Sequence, residues 1–273
     1  MGYELPLDMI ATPRRIATLA AAMVTLLIMA DRDWAQDEMG DVHRGKIVYE
    51  QYCALCHGEQ GDGNGHYGED TIPAPRDFRQ GTFNWRSTPS GSLPTDADLE
   101  KTLIKGLFGT SMSSFSASLT HRQRLDVITY IKTFSPRFAT EKPEAPITIP
   151  PEPPYTVESV TRGAAIYKKV NCAQCHGDEA QGDGESADDL TDDWGNPIVP
   201  YDLTEGHLKC GNNGSDIYRV FITGLNGTPM PSFADSISPA EAWDLVHFIQ
   251  SLSPEYPKNV TGAPSTSIGE GKP

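Results

Sequence analysis

Apolar side chains return at the three- and four-residue interval of an α-helix in six stretches of the chain, three in each half. Residues 45–54 and 162–173 form one pair, and 95–107 and 215–225 a second, opened by the capping candidates Thr95 and Ser215. The third pair is the clearest. Leu245, Phe248, Ile249 and Leu252 make a single stripe behind the capping box of Ser238 and Glu241, with Pro239 at the first helical position. Leu125, Ile128, Ile131 and Phe134 form its counterpart. Alternation at period two is absent, so the pattern predicts an all-α chain without strands.

The pairs belong to a duplication. Arg44, Gly45 and Tyr49 match Arg162, Gly163 and Tyr167; Cys53-Ala54-Leu55-Cys56-His57-Gly58 matches Cys172-Ala173-Gln174-Cys175-His176-Gly177. Gly61-Asp62-Gly63 is paired with Gly182-Asp183-Gly184, and Pro75 and Asp77 with Pro200 and Asp202. The stretch from Gly106 through Met112 to Phe115 matches that from Gly224 through Met230 to Phe233. The offset drifts from 118 to 125 and returns to 118, so insertions fall in loops and both ends stay in register. The division is 1–35, an export signal; 40–138, the first unit; 139–156, a linker with prolines at 143, 146, 150, 151, 153 and 154; 157–256, the second unit; and 257–273, a frayed tail. The linker reads as a strap along the surface, with Ile147 and Ile149 as its apolar anchors. The export signal rests on Arg14 and Arg15 ahead of an uncharged run from Ile16 to Ala30, about 22 Å as a helix and short for a bilayer span. The same run also admits an uncleaved anchor, so the expected location is periplasmic, soluble or N-terminally tethered.

Composition narrows the partners. The 273 residues carry 22 Lys and Arg against 37 Asp and Glu, a formal net charge of −15, which repels nucleic acid and anionic membrane surfaces. The imbalance is uneven: residues 40–138 hold 11 basic and 11 acidic side chains, and residues 157–256 hold 5 and 16. Eight of those acids lie between Asp178 and Asp193. They read as a solvated loop or, more sharply, as a surface that steers a basic redox partner to the second unit.

Five cysteines exclude a framework of disulfides alone. Four of them stand in two Cys-X-X-Cys-His motifs, the attachment pattern of a c-type haem. On a helical turn, positions i, i+3 and i+4 share a face. Cys53 and Cys56, and likewise Cys172 and Cys175, are thus placed to form thioethers with the two vinyl groups of one porphyrin, with His57 or His176 reaching the iron. A dithiol redox pair does not need the histidine, and a zinc site needs ligands that Cys210 alone cannot supply. The sixth ligand follows by elimination. Past the N-terminal segment the two units contain two methionines, Met112 and Met230, in matched Gly-Thr-X-Met-X-Ser-Phe loops, 55 and 54 residues after His57 and His176. The histidines at 43, 66, 121, 207 and 247 do not pair between the repeats and read as surface or packing residues. Cys210 reads as a buried, inert thiol, with an intermolecular disulfide or iron ligation as alternatives. Arg76, Arg79 and Arg86 read equally as propionate partners or as plain surface arginines.

On these motifs each unit resembles a class I cytochrome c domain, and residues 40–256 resemble a dihaem c-type cytochrome. The resemblance implies two covalent iron haems with His/Met ligation, and a first and last helix crossing at Gly45 or Gly163 against Tyr130 or Phe248. It also implies a proline carbonyl on the proximal histidine, from Pro75 and Pro200 or from Pro73 and Pro197. A filled sixth position favours electron transfer over oxygen chemistry. The function expected is a relay of single electrons between a periplasmic oxidoreductase and a downstream acceptor. The alternatives are a dihaem enzyme of the thiosulfate dehydrogenase or peroxidase kind, or a fixed electron-entry subunit of a larger complex, for example with a molybdenum enzyme.

Overall fold

The structure, a computed structural model, describes residues 39–68 and 71–253. The expected export signal and the tail at 257–273 lie outside the described residues. Among these there are nine α-helices and no strand, beyond an isolated bridge between Thr191 and Pro197. The first unit holds α1 (Val42–Tyr52), α2 (Ala54–His57), α3 (Asp96–Lys105) and α4 (His121–Lys132), followed by the short α5 (Arg137–Thr140). The second repeats them as α6 (Val157–Lys169), α7 (Ala173–His176), α8 (Gly214–Thr223) and α9 (Pro239–Leu252).

Side chains fix where the helices start. Thr95 and Asp98, Thr120 and Gln123, Thr156 and Ser159, and Ser238 and Glu241 form reciprocal capping boxes, and Asp41 accepts the Arg44 N–H at 2.8 Å. The expected cap Ser215 lies inside α8; its N-cap is Asn213, whose backbone carbonyl takes the Asp216 N–H at 2.9 Å. Phe134 falls beyond the end of α4, where the chain turns it back onto Tyr49 at a ring distance of 5.1 Å. Asp126 is buried in its helix where the expected stripe had the half-buried Leu125.

Each unit is organised by one crossing, α1 over α4 and α6 over α9. A Cβ on Gly45 would stand 2.0 Å from the Asp126 carbonyl oxygen, and one on Gly163 would stand 2.0 Å from that of Asp244. The helices touch there because these positions have no side chain. Tyr130 and Phe248 pack beside the crossings, with ring distances of 5.3 Å to Tyr49 and 5.3 Å to Tyr167. A bidentate ion pair closes each crossing: Arg44 to Asp126 at 2.7 and 3.0 Å, and Arg162 to Asp244 at 2.7 and 2.7 Å.

The linker is a strap across both units. The Ile147 N–H donates to the Ser87 carbonyl at 2.8 Å, and Ile149 packs on the second core. The units also meet directly through α3 and α8. Lys101 and Lys105 reach Asp216 at 2.5 and 3.4 Å, beside Arg219 at 2.7 Å. Arg86, 2% exposed, crosses to the Thr223 carbonyl at 2.5 Å and to that of Gly224 at 3.4 Å. A cleft of about 250 Å³ remains between the units, lined in part by Trp85, Lys101, Cys210 and Asp216.

Candidate cofactor sites

The Cys-X-X-Cys-His segments close with the same hydrogen bond. In the first, the His57 N–H donates to the Cys53 carbonyl at 2.9 Å; in the second, the His176 N–H donates to that of Cys172 at 2.9 Å. Each motif thus makes one helical turn, α2 or α7, and presents two thiols and an imidazole from it. Tyr49 and Tyr167 lock the turns by donating their hydroxyls to the Gly58 and Gly177 carbonyls at 2.7 Å each. Burial pushes the Cys53 thiol up to about 12 and that of Cys172 up to about 11, so both are neutral thiols.

Burial lowers the pKa of both histidines, which holds the rings neutral. Their Nδ1 atoms lie 3.0 Å from the Arg76 carbonyl and 3.2 Å from the Tyr201 carbonyl. That contact puts the proton on Nδ1 and leaves the Nε2 lone pair free for a metal. The expected acceptors, the Pro75 and Pro200 carbonyls, are each one residue too early. They turn instead onto glycines: a Cβ on Gly63 would stand 2.6 Å from the Pro75 oxygen, and one on Gly182 would stand 2.4 Å from that of Pro200.

This contact also corrects the repeat register. The Gly63 N–H donates to the His57 carbonyl at 2.9 Å, and the Gly182 N–H to that of His176 at 2.8 Å. Gly63-Asn64-Gly65 is therefore the counterpart of Gly182-Asp183-Gly184, and Gly61 pairs with Ala180, both at positive φ of 66° and 60°. The extra residues of the second unit lie in the loop between Gly184 and Pro200, around Asp192–Trp194.

The methionine loops are built by the same hydrogen bonds. Leu107 N–H donates to the Met112 carbonyl at 2.8 Å, and Leu225 N–H to that of Met230 at 3.1 Å. Thr110 and Thr228 hydroxyls accept the Met112 and Met230 N–H groups at 3.1 and 3.2 Å. Ser114 and Ser232 donate back to Ile104 and Ile222 carbonyls at 2.5 and 2.6 Å. Each loop leaves its helix at a glycine with φ of 65°, Gly106 or Gly224, where a Cβ would stand 2.6 Å from the backbone nitrogen of Ser114 or Ser232. Both methionines are half-buried and pack on the core of their own unit.

The donor set in each unit is therefore two thiols one turn apart, an oriented neutral imidazole, and a thioether on a hydrogen-bonded loop. That set suits a porphyrin held through sulfur. Among the described residues no three His, Cys, Asp or Glu side chains converge as a directly bound metal would need. Of the remaining histidines, His66 lies tilted against Tyr67, His207 lies against Phe108 of the Met112 loop, and His121 pairs with Glu100. His247, fully buried, receives or donates at Ser159 Oγ at 2.8 Å. Cys210 is half-buried and burial raises its thiol to about 12. Arg79 is spent on Asp77 and Arg86 on backbone carbonyls. Sequence reasoning missed the Arg76 and Tyr201 carbonyls because a backbone acceptor carries no residue signature.

The comparisons agree in both halves. The family model for Cytochrome c matches residues 42–135 and again 160–253. The Cbb3-type cytochrome c oxidase subunit FixP of Sinorhizobium medicae (strain WSM419) is 31% identical over 99 residues, covering 35% of this chain and 30% of that protein. The subunit of the same name from Azorhizobium caulinodans is 22% identical over 215 residues, covering 76% of this chain and 58% of that protein. The chain thus spans between about a third and three fifths of these curated relatives. A chain in the solved Kuenenia stuttgartiensis reducing HAO-like protein complex is 43% identical with a TM-score of 0.76, covering 80% of this chain and 98% of that one.

Proposed function

The chain belongs to the cytochrome c family, with one domain of it in each half, and from that premise we propose that it relays single electrons through two His/Met haem sites outside the cytoplasm. Two such domains carry two covalently bound c-type haems. A c-type haem supplies a one-electron Fe(III)/Fe(II) couple. Cys53 and Cys56 would hold one haem through thioether bonds in the first unit, as Cys172 and Cys175 would in the second. His57 and His176 would each offer Nε2 to the iron, with the Arg76 and Tyr201 carbonyls holding the rings. Met112 and Met230 would offer neutral sulfur to the iron, which favours the reduced state. The carrying observation is the duplicated thioether loop, bond for bond the same around both methionines.

The partner reading is electrostatic. Asp178, Glu179, Asp183, Glu185, Asp188, Asp189 and Asp193 are exposed on the second unit, which supports docking of a basic redox protein there. Association then slows steeply as salt is added, and a rate indifferent to salt contradicts it. A second reading, a fixed subunit of a redox complex, is supported by the likeness to a chain of the HAO-like complex. No helix among the described residues is long and apolar enough to cross a membrane.

A redox titration followed by visible and near-infrared spectra tests the function. Two one-electron waves, each with a methionine–iron charge-transfer band, are expected. A high-spin, open iron in either unit would favour a dihaem enzyme instead.

A further inference from the structure

Arg76 and Tyr201 hold the same place in their units, one residue after Pro75 and Pro200, and each gives its carbonyl to its own proximal histidine. Each also sends its side chain across to the other unit's methionine loop. A Cβ on Gly109, in the Met112 loop, would stand 3.5 Å from Tyr201 Cε2. A Cβ on Gly227, in the Met230 loop, would stand 2.7 Å from Arg76 Nη1 and 2.7 Å from the Trp194 ring. The two sites are thus joined reciprocally, proximal side to methionine side.

The arms differ in charge. Tyr201 brings a neutral ring, whereas Arg76 brings a cation. Its guanidinium carbon lies 4.3 Å from the Trp194 ring centroid, within cation–π range. Nη2 is bonded to Asn84 Oδ1, while Nη1 is buried without a hydrogen-bond partner. Trp194 comes from the inserted loop that the first unit lacks, and the Asp193 N–H beside it donates to the Gly227 carbonyl at 3.1 Å. Burial lowers the guanidinium to about 10, against the pull of Asp192 and Asp193, so the group stays charged at neutral pH.

We propose that Arg76 is a positioning residue that ties the first unit's axial histidine to the second unit's methionine loop and, by its buried charge, raises the second site's reduction potential. A fixed cation in a low-dielectric position favours the state with one more electron. The asymmetry between Arg76 and Tyr201 then makes the two duplicated sites unequal and gives electron flow a direction. This inference rests on the two-haem reading above.

The test is a redox titration of the full two-haem protein and its Arg76→Leu and Arg76→Lys variants. Waves are assigned with Met230→Leu, which removes the second unit's methionine–iron band. Arg76→Leu is expected to lower the second wave more than the first and to shift the Met230 methyl resonance. Arg76→Lys should recover most of the potential. Unmoved potentials in Arg76→Leu, or a lysine variant identical to the leucine one, would overturn the proposal. Should Arg76→Leu fail to fold, Trp194→Leu retains the cation but opens it to water. A smaller shift in the same direction is then expected, and none would count against it. A wild type lacking the second methionine–iron band sinks the ligand assignment instead; the waves are then assigned with the Cys172→Ala, Cys175→Ala double variant, and the Arg76-dependent potential remains readable.

Discussion

Met112 and Met230 are the residues at which ligation and packing separate cleanly. Leucine conserves their volume, so Met112→Leu or Met230→Leu should cost less than about 1.5 kcal/mol of stability. The same change should abolish one methionine–iron band and lower that unit's potential while sparing the other. His247 supplies a pH prediction. Burial lowers its pKa below the ordinary 6.5, although Glu152 and Asp244 pull the other way. The unfolded chain therefore binds the proton more tightly. The stability His247 contributes is present above pH 6.5 and is lost as pH falls below it. Thermal melts across that range should show His247→Gln flattening the acid side of the profile; an unchanged profile would remove His247 as its cause. The motif residues could be proposed from the chain alone because their chemistry is tied to residue type and spacing. His247 was legible only as a residue without a counterpart, since its partners Ser159, Glu152 and Tyr155 meet it through the fold.

At the scale of elements, the crossings of α1 with α4 and of α6 with α9 set the geometry of both sites. Gly163→Ala places a methyl on the Asp244 carbonyl oxygen, so the helices must separate. Loss of about 1–3 kcal/mol or more is expected in denaturant unfolding, with weaker retention of the second unit's absorbance. An alanine variant as stable as wild type would show that the contact is not tight. The helices themselves were readable from apolar spacing and caps, as with Ser238, Glu241 and Pro239 opening α9. The misreadings have local causes. Ser215 has the right chemistry for a cap, but α8 is capped two residues earlier, at Asn213. The Gly-Asp-Gly match between the repeats is a coincidence of composition. Backbone bonds to His57 and His176 set the register, and these carry no letter in the sequence.

The whole molecule is two copies of one design made unequal where they touch. Arg86 reaches from the first unit to the end of α8, and a charged hydrogen bond of that kind contributes about 2 kcal/mol. Arg86→Ala should loosen the units and split one calorimetric transition into two; a single unchanged transition would mean that the other contacts, Lys101 and Lys105 on Asp216 among them, hold the units together without Arg86. The duplication and the linker could be read from the chain by self-comparison. The interface could not, because Arg86, Asp216, Arg76 and Trp194 are scattered over more than 130 positions and are ordinary surface types singly.

Sulfur-linked porphyrin in both halves leaves a mark that intact-mass spectrometry reads without further assumption. Protein matured in a host able to attach haem should carry two haem masses through denaturation. The double variant Cys53→Ala, Cys56→Ala should keep one, and so should Cys172→Ala, Cys175→Ala. The mass of the bare polypeptide, or a haem that leaves on denaturation, would contradict the account.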